Sequence, residues 1–198
     1  MTELHAADPI VQFQTWFNEA RASGHLQPDA FALSTSSINS RPSVRFLLLK
    51  EVRERHFHFF TNYESNKVKD LSENPQAEMA FFWEKLFRQV RVYGKVTRLT
   101  GEESDAYWRT RPRESQIGGW SSPQSRKIQS REELDKLVES FATKFKDQPI
   151  PRPPHWGGFK LAAERIEFWT GRKARLHDRE VYLWNEKSRG WEYGLLAP

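Results

Sequence analysis

The chain has 198 residues and a formal net charge of +5, and it contains no cysteine, which excludes a disulfide framework, a thiolate metal site and a cysteine nucleophile. Its longest uninterrupted apolar run is Met79–Trp83, whereas a membrane-spanning helix needs about 20 apolar residues. The N-terminus lacks the basic region and apolar core of a secretory signal, so we expect a soluble, cytoplasmic protein.

The 31 Lys and Arg residues outnumber the 26 Asp and Glu residues, which favours an anionic partner. Nucleic acid, an acidic membrane surface and phosphorylated small molecules all fit this charge, and composition does not separate them. The length predicts one domain, 1–198. Aromatic residues make up 14% of the chain and supply large side chains for a core or for the walls of a binding site.

A helix is predicted near the N-terminus, within residues 1–25. Asp8 suits the N-cap, Pro9 suits the first helical position, and Gly24 suits the end. The apolar residues between them recur at helical spacing: Ile10, Phe13, Phe17 and Ala20.

Strands dominate the middle of the chain, where short apolar and aromatic runs predict antiparallel pairing. The predicted strands are Ala30–Thr35, a buried Val44–Lys50, His56–Thr61, Ala77–Trp83 and Phe87–Leu99, with a turn at Asn39–Pro42 and a short helix at Glu64–Leu71. The last strand alternates: Val90, Val92, Gly94 and Val96 share one face, and Gln89, Arg91, Tyr93 and Lys95 share the other.

Two further helices are predicted, Glu102–Arg111 and a longer one that starts at Ser130. Ser130 and Glu133 have the spacing of a capping box. The apolar stripe of this longer helix is Leu134, Leu137, Val138, Phe141 and Phe145.

The segment 148–158 holds four prolines and two glycines and is interpreted as a loop within the domain. The roughly 40 residues after it are too few for a second core. Strands near 164–169, 180–184 and 191–195 are therefore expected to complete the first sheet. The order of elements predicts a mainly β fold, an antiparallel barrel or sheet with peripheral helices.

The common nucleotide, metal and hydrolase motifs are absent from the sequence: Gly-x-Gly-x-x-Gly, a phosphate loop, paired metal-spaced histidines and Gly-x-Ser-x-Gly. Cationic clusters remain, and the first is formed by Arg45 and Lys50. Their spacing of five puts them on opposite faces of a regular strand, so a bulge or bend is needed before both reach one ligand. A buried strand with charges at its solvated ends fits the same spacing.

The second cluster is Tyr107, Arg111 and Ser115. Positions i and i+4 share a helix face, so a phenol and a guanidinium could converge there, and Ser115 could add a hydroxyl. This trio suits a phosphate monoester. An ordinary helix face with Tyr107 packed over the Arg111 stem is the alternative.

The third cluster is the segment from Arg175 to Arg179, which also contains His177 and Asp178. In a strand, Arg175, His177 and Arg179 would alternate onto one face and could bind a polar, anionic ring. A solvated turn is the alternative, because a His-Asp pair alone does not establish catalysis.

Several motifs occur in the order found in the pyridoxine/pyridoxamine 5'-phosphate oxidase family, which the chain closely resembles from about residue 8 to 198. The motifs are Arg45 to Lys50, Phe60-Thr61-Asn62, Arg88-Gln89-Val90, Tyr107 to Gly118, Ser122-Pro-Gln-Ser125, Pro151-Arg-Pro-Pro-His-Trp-Gly-Gly158, Ile166-Glu-Phe-Trp169, Arg175-Leu-His-Asp-Arg179 and the closing Leu-Ala-Pro.

The resemblance implies an FMN-binding split β-barrel that forms a homodimer with two flavin sites at the subunit interface. It implies oxidation of pyridoxine 5'-phosphate or pyridoxamine 5'-phosphate to pyridoxal 5'-phosphate, with O2 as acceptor, H2O2 as product and ammonia released from the amine.

The resemblance also implies roles for individual residues. The implied FMN-binding residues are Arg45, Phe46, Leu47, Leu48, Leu49, Lys50, Phe60, Thr61, Asn66, Lys67, Gln89, Gln124, Ser125, Trp169 and Arg179, with Arg45 and Lys67 on the phosphate. The implied substrate-phosphate residues are Lys50, Tyr107, Arg111 and Ser115. Arg175 and His177 are implied to lie beside the pyridine ring as catalytic residues, with Arg175 assisting at C4'.

Two positions depart from the family pattern. Asn66 stands where a basic residue commonly precedes the matching Lys67, and Leu195 stands in place of the arginine of the closing Arg-Leu-x-Pro. Three alternatives remain: a related FMN oxidase acting on another ring, a non-catalytic flavin-binding protein, and an RNA-binding module. An RNA-binding module would need exposed aromatics among Lys and Arg, whereas Phe57–Phe60 and Phe81–Trp83 are interpreted as core.

Overall fold

The computed structural model describes residues 8–198, and expectations about residues 1–7 lie outside the described residues. Nine strands form one antiparallel sheet: β1 (Ala30–Ser36), β2 (Pro42–Leu48), β3 (Glu51–Arg53), β4 (His56–Asn62), β5 (Gln76–Trp83), β6 (Arg88–Arg98), β7 (Trp156–Thr170), β8 (Asp178–Asn185) and β9 (Gly190–Leu195). The helices are α1 (Pro9–Ala22), α2 (Asn66–Glu73), α3 (Gly101–Thr110), α4 (Arg113–Ser121) and α5 (Arg131–Lys144). The predicted mainly β, antiparallel fold with peripheral helices is confirmed, and the sheet is not closed into a barrel.

The strand order is β2-β1-β5-β6-β7-β4-β3, and β8 and β9 extend the sheet from β7. The first half of the long strand β7 pairs with β4 and its second half pairs with β8. Between the halves, the β6–β7 register shifts at Tyr93 and Gly94, where a Cβ on Gly94 would lie 1.9 Å from the Ala162 carbonyl oxygen. Such a bulge bends the strand, so one sheet can face two directions.

Helix α1 covers the aromatic core. The Asp8 carboxylate accepts a 2.8 Å hydrogen bond from the Ile10 N–H, which confirms the predicted N-cap. The Phe13 ring lies 4.9 Å from Phe57 and 5.2 Å from Phe81. As predicted, Phe57, Phe59, Phe81 and Trp83 are buried, but Phe60 is only half-buried and Phe82 is exposed.

Strand β2 corrects the prediction of a buried strand over Val44–Lys50. The strand ends at Leu48, and Val44 and Phe46 are exposed. Because β2 is an edge of the sheet with one neighbour, β1, nothing in the described chain covers its outer side chains.

The C-terminal strands join the first sheet, as predicted, but two expectations about this region are wrong. The segment 148–158 is a loop only as far as His155, since β7 begins at Trp156. Arg175, His177 and Arg179 do not alternate along one strand, because residues 173–175 form a single 3-10 turn and β8 begins at Asp178.

Helices α3, α4 and α5 pack outside the sheet around a second apolar cluster, which consists of Trp108, Phe145, Ile150 and Trp156. Helix α4 was not predicted. Ser130 caps α5 by accepting from the Glu133 N–H, but the predicted capping box is incomplete because the Glu133 carboxylate accepts from Gln129 instead. None of the helices over residues 8–198 has both the length and the apolar character to cross a lipid bilayer.

Candidate active site

A cavity of about 660 Å³ opens between β2, β4, the N-terminus of α2, α3 and the loop at 122–125. Its lining residues are Ser43, Val44, Arg45, Phe46, Leu47, Leu48, Lys50, Phe60, Thr61, Asn62, Asn66, Lys67, Tyr107, Arg111, Gln124, Ser125 and Trp156. Four of them are cationic and none is acidic. The cavity is therefore suited to an anionic ligand.

Lys67 lies in the first turn of α2 and is almost fully buried. Its ammonium group donates to Gln124 Oε1 at 2.6 Å and to the hydroxyls of Thr61 and Ser65 at 3.0 Å each. Burial, together with the charge of Arg45, lowers the pKa of Lys67 to about 8. The Lys67 ammonium group is therefore already positioned before an anion enters the cavity.

Arg45 is fixed by contacts with β1 and α2. Its Nη1 donates to Thr35 Oγ1 at 2.7 Å, and its Nη2 donates to Ser43 Oγ at 2.6 Å and lies 3.9 Å from Asp70. Asp70 accepts a 2.6 Å hydrogen bond from the Thr35 hydroxyl, so its carboxylate contacts both Thr35 and Arg45. Burial lowers the pKa of Arg45 and Asp70 opposes that shift.

Lys67, Arg45 and the N-terminus of α2 together are suited to one anion. The Asn66 N–H donates to Ser125 Oγ at 3.3 Å, and Gln124 accepts from Lys67, so the loop at 124–125 closes over the start of the helix. Backbone N–H groups at a helix N-terminus favour phosphate, and Arg offers phosphate a planar fork. Asn66 lines this site without adding a charge.

A stack of three aromatic rings forms another wall of the cavity. Phe60 and Tyr107 stack at 3.9 Å, and the Trp156 ring lies 5.3 Å from Phe60 in a nearly parallel plane. Gly158 makes room for Phe60, because a Cβ there would lie 2.7 Å from the ring. The stack fixes the position of the Tyr107 phenol in the cavity.

Arg111 lies against this stack, with its guanidinium carbon 4.8 Å from the Trp156 ring centre. Its Nη2 donates to the Ser115 carbonyl at 3.0 Å, and its buried Nε has no hydrogen-bond partner within residues 8–198. Burial lowers the pKa of Arg111, and Tyr107 opposes that shift. A buried guanidinium with an unpaired N–H favours an incoming acceptor such as a phosphate oxygen.

Arg45 and Lys50 reach the same cavity because β2 ends between them. The chain leaves the strand after Leu48, which supplies the bend that the five-residue spacing requires. Lys50 also pairs with Asp29 at 3.4 Å. Leu49 is buried in the core and does not line the cavity.

The other predicted site residues form a separate group on β6, β7 and β8. Gln89 is paired with Trp169 and Trp169 with Arg179, so the three lie in one row across the sheet. The His177 ring packs 4.6 Å from Trp169. Arg175 is exposed on the preceding turn, with a φ of +61°.

The two groups are far apart in one chain. In the order β2-β1-β5-β6-β7-β8, β6 is three strands and β8 is five strands from β2, on the order of 14 to 24 Å along the sheet at about 4.8 Å per strand. The chain therefore brings together Arg45, Lys50, Lys67, Tyr107 and Arg111, but it does not bring Gln89, Trp169, Arg175, His177 and Arg179 to them. Ser115 lies beside Arg111 and contacts it through its backbone carbonyl rather than its hydroxyl.

Four lining residues were not predicted: Ser43, Val44, Asn62 and Trp156. Trp156 had a detectable signal, because it stands in the Pro-Pro-His-Trp-Gly-Gly motif beside two glycines. A Cβ on Gly157 would lie 1.9 Å from the Tyr63 hydroxyl, so the close packing around Trp156 requires glycine.

Comparisons with known proteins agree over nearly the whole chain. Residues 17–145 match the family model "Pyridoxamine 5'-phosphate oxidase", and residues 156–198 match "Pyridoxine 5'-phosphate oxidase C-terminal dimerisation region". The pyridoxine/pyridoxamine 5'-phosphate oxidase of Gloeothece citriformis is 46% identical over 199 residues, covering 100% of this chain and 92% of that protein. The protein of the same name from Rubrobacter xylanophilus is 47% identical over 191 residues, covering 96% and 87%.

Two solved structures share the fold. PhzG from Burkholderia lata, in complex with tetrahydrophenazine-1-carboxylic acid, has a TM-score of 0.91 and 26% identity, covering 98% of this chain and 94% of that one. A pyridoxamine 5'-phosphate oxidase-related, FMN-binding protein from Nostoc punctiforme has a TM-score of 0.77 and 18% identity, covering 98% and 100%.

Proposed function

Since the chain belongs to the pyridoxamine 5'-phosphate oxidase family of oxidoreductases, we propose that it binds FMN and oxidises pyridoxine 5'-phosphate or pyridoxamine 5'-phosphate to pyridoxal 5'-phosphate. With the alcohol, one O2 is consumed and one H2O2 is released. With the amine, one water is also consumed and one ammonia is released. The observation that carries the proposal is a cavity lined by four cations and no carboxylate, with separate contacts around Lys67 and around Arg111.

The residues present fit FMN. The cavity has a volume typical of cofactor sites, and its apolar lining residues Phe46, Leu47 and Leu48 could pack against a flavin ring. Lys67 and Arg45, with the N-terminus of α2, would hold the FMN phosphate, and Gln124 and Ser125 would close over it. When bound, FMN would supply the redox chemistry, in which a hydride equivalent is accepted at N5 and then passed to O2.

The substrate phosphate would be held by Lys50, Tyr107 and Arg111. The aromatic stack with Trp156 fixes Tyr107 and Arg111 before substrate arrives, so little rotational freedom is lost on binding. Binding energy from the phosphate, which does not react, would then orient the C4' group at the other end of the substrate. Ser115 would contribute from the first turn of α4.

Arg175 and His177 would act beside the pyridine ring. The His177 Nδ1 accepts a 3.1 Å hydrogen bond from the Arg172 N–H, which leaves Nε2 to face a ligand. The exposed Arg175 guanidinium would assist charge development at C4'.

A complete site would require two copies of the chain. One face of the sheet, here called the outer face, carries Phe46, Arg91, Glu167 and Val181, which are linked through the strand pairing. Four other apolar residues on this face are exposed, as Phe46 is: Val44, Phe82, Tyr93 and Leu183.

The outer face also carries the row of Gln89, Trp169 and Arg179. A second copy that covers the outer face would bury these apolar groups and could bring its row of Gln89, Trp169 and Arg179 to the first copy's cavity. The match to a dimerisation region supports this homodimer.

An oxidase for a different ring is the second candidate, because PhzG shares this fold and was solved with a tricyclic carboxylic acid. The cluster of Lys50, Tyr107 and Arg111 favours a phosphorylated substrate over a carboxylate, since it offers several donors to a dianion.

The test is to incubate the purified protein with FMN and either pyridoxine 5'-phosphate or pyridoxamine 5'-phosphate, and to follow pyridoxal 5'-phosphate and H2O2. We expect both products in a one-to-one ratio, with unphosphorylated pyridoxine as the control that reacts far more slowly. Flavin binding with turnover of tetrahydrophenazine-1-carboxylic acid alone would support the second candidate. Flavin binding without any turnover would contradict an oxidase, and lack of flavin binding would contradict both candidates.

A further inference from the structure

Glu167 belongs to the Ile166-Glu-Phe-Trp169 motif and lies on the outer face of the sheet. Its neighbours bury it, so that it is only 2% exposed. Burying a carboxylate is costly unless it is paired and hydrogen-bonded. Glu167 is surrounded by guanidinium groups, and the geometry shows which of them it holds most closely.

Arg179 is bound by one oxygen of Glu167 through two of its nitrogens. Nε donates to Oε1 at 2.9 Å, and Nη2 lies 2.8 Å from the same oxygen. The Arg179 Nη1 donates to the Ala197 carbonyl at 2.9 Å. Three of the five N–H groups of the guanidinium are thus engaged, and two remain to reach a ligand.

The other oxygen of Glu167 is held by a second arginine. Arg165 Nη2 donates to Oε2 at 2.6 Å, and Arg91 Nη1 lies 3.7 Å from it. Arg91 is itself paired with Glu78 through Nε at 2.7 Å and Nη2 at 3.0 Å. Because Oε2 is anchored by Arg165, the carboxylate has a fixed orientation, and its Oε1 dictates where Arg179 points.

We propose that Glu167 is a positioning residue of the flavin site, which acts by holding the Arg179 guanidinium in the orientation in which its two remaining N–H groups meet FMN. The inference rests on the proposed function, because it assigns Arg179 to the cofactor. A free arginine side chain loses considerable rotational freedom when it binds a ligand. Because Glu167 already restricts the Arg179 side chain before FMN binds, less rotational freedom is lost on binding and FMN affinity increases.

The test compares Glu167→Gln with Glu78→Gln by titrating apoprotein with FMN and following flavin fluorescence. Both changes are nearly isosteric and remove one carboxylate from the same network, but only Glu167 touches Arg179. We expect FMN binding to weaken about ten-fold in Glu167→Gln and less than two-fold in Glu78→Gln. Unchanged FMN affinity in Glu167→Gln would overturn the inference.

A double-variant cycle separates positioning from general stability. In an Arg179→Gln background, Glu167→Gln should change FMN affinity less than two-fold, because the side chain that it positions is already gone. An equal loss in both backgrounds would show that Glu167 acts through the fold and would overturn the inference.

Glu167→Asp provides a check if Glu167→Gln fails to fold. It keeps the buried charge but withdraws the oxygens by one methylene, so we expect weaker FMN binding with a melting temperature close to that of the unsubstituted chain. FMN affinity equal to that of the unsubstituted chain would overturn the inference. If the unsubstituted chain binds no FMN, the proposed function fails as well, whereas normal binding that is insensitive to Glu167 overturns the positioning role alone.

Discussion

Lys67 is a buried lysine whose three hydrogen-bond acceptors, in Thr61, Ser65 and Gln124, are all uncharged. No carboxylate lines the cavity beside it, and the nearby Arg45 repels its charge. Burial and the charge of Arg45 disfavour the protonated form, which explains the lowered pKa of Lys67. The site therefore favours a ligand that brings two negative charges.

The pH dependence of FMN binding follows from this lysine. With a pKa of about 8 before FMN binds, Lys67 loses its proton as the pH rises through 8, so FMN affinity should fall about ten-fold by pH 9. Affinity should also fall below about pH 6, where a phosphate monoester loses its second charge. Fluorescence titration from pH 5.5 to 9.5 measures the profile.

Two controls accompany this profile. Lys67→Arg should abolish the alkaline fall, because a guanidinium stays charged throughout this range. Riboflavin has the same ring without the phosphate, and its weaker binding should not vary between pH 7 and 9. A flat profile for FMN up to pH 9.5 would contradict the assignment of Lys67 to the phosphate.

Among the elements, the turn between β7 and β8 is held by its own hydrogen bonds although it is not a regular strand. Arg172 Nε donates to Asp178 at 2.6 Å, and the Arg172 N–H donates to His177. Ala174 and Arg175 both have left-handed φ values, which non-glycine residues adopt only when the surrounding contacts require them. The Arg175 side chain is therefore exposed to solvent, whereas Arg172 bonds to His177 and Asp178 within the same segment.

Arg175→Ala should reduce turnover much more than FMN affinity. We expect kcat to fall on the order of 100-fold, as when a preorganised electrostatic donor is removed, while the FMN dissociation constant changes less than three-fold. Steady-state kinetics and FMN titration on the same preparation measure the two quantities. Lys173→Ala removes an exposed cation from the same turn and should leave both nearly unchanged. Equal losses of turnover and FMN affinity in Arg175→Ala would contradict the role.

At the scale of the whole molecule, the outer face links assembly to the site. Phe46 is 79% exposed on this face and also lines the cavity. A large exposed apolar group on an edge strand is characteristic of an interface. One surface would therefore serve both dimer contact and cofactor binding.

Phe46→Asp should convert the dimer to a monomer and weaken FMN binding at least ten-fold, because it places a buried charge in the interface and a negative charge near the phosphate site. Sedimentation velocity and FMN titration measure the two effects. Val11→Asp is the matched control, since Val11 is an exposed apolar residue on α1, and it should leave the chain dimeric. A Phe46→Asp protein that remains dimeric would contradict this interface.

Local sequence signals predicted most elements because their causes are local. The Asp8 cap, the alternation along β6 and the apolar runs of β4 and β5 each depend on neighbours within a few residues. The wrong prediction for β2 has a distant cause. Strand β2 was expected to be buried, but it lies at the edge of the sheet.

Side-chain periodicity and short motifs were enough to predict the antiparallel, mainly β fold and the residue types that suit two phosphates, because both are properties of short segments. Tertiary contacts separate these residues into two groups, the second of which lies three to five strands from β2. They also place Trp156 in the wall behind Arg111 and bring Glu167 into contact with Arg179. Strand order and the bulge at Gly94 set the distances between residues far apart in the chain, and no local spacing encodes those distances.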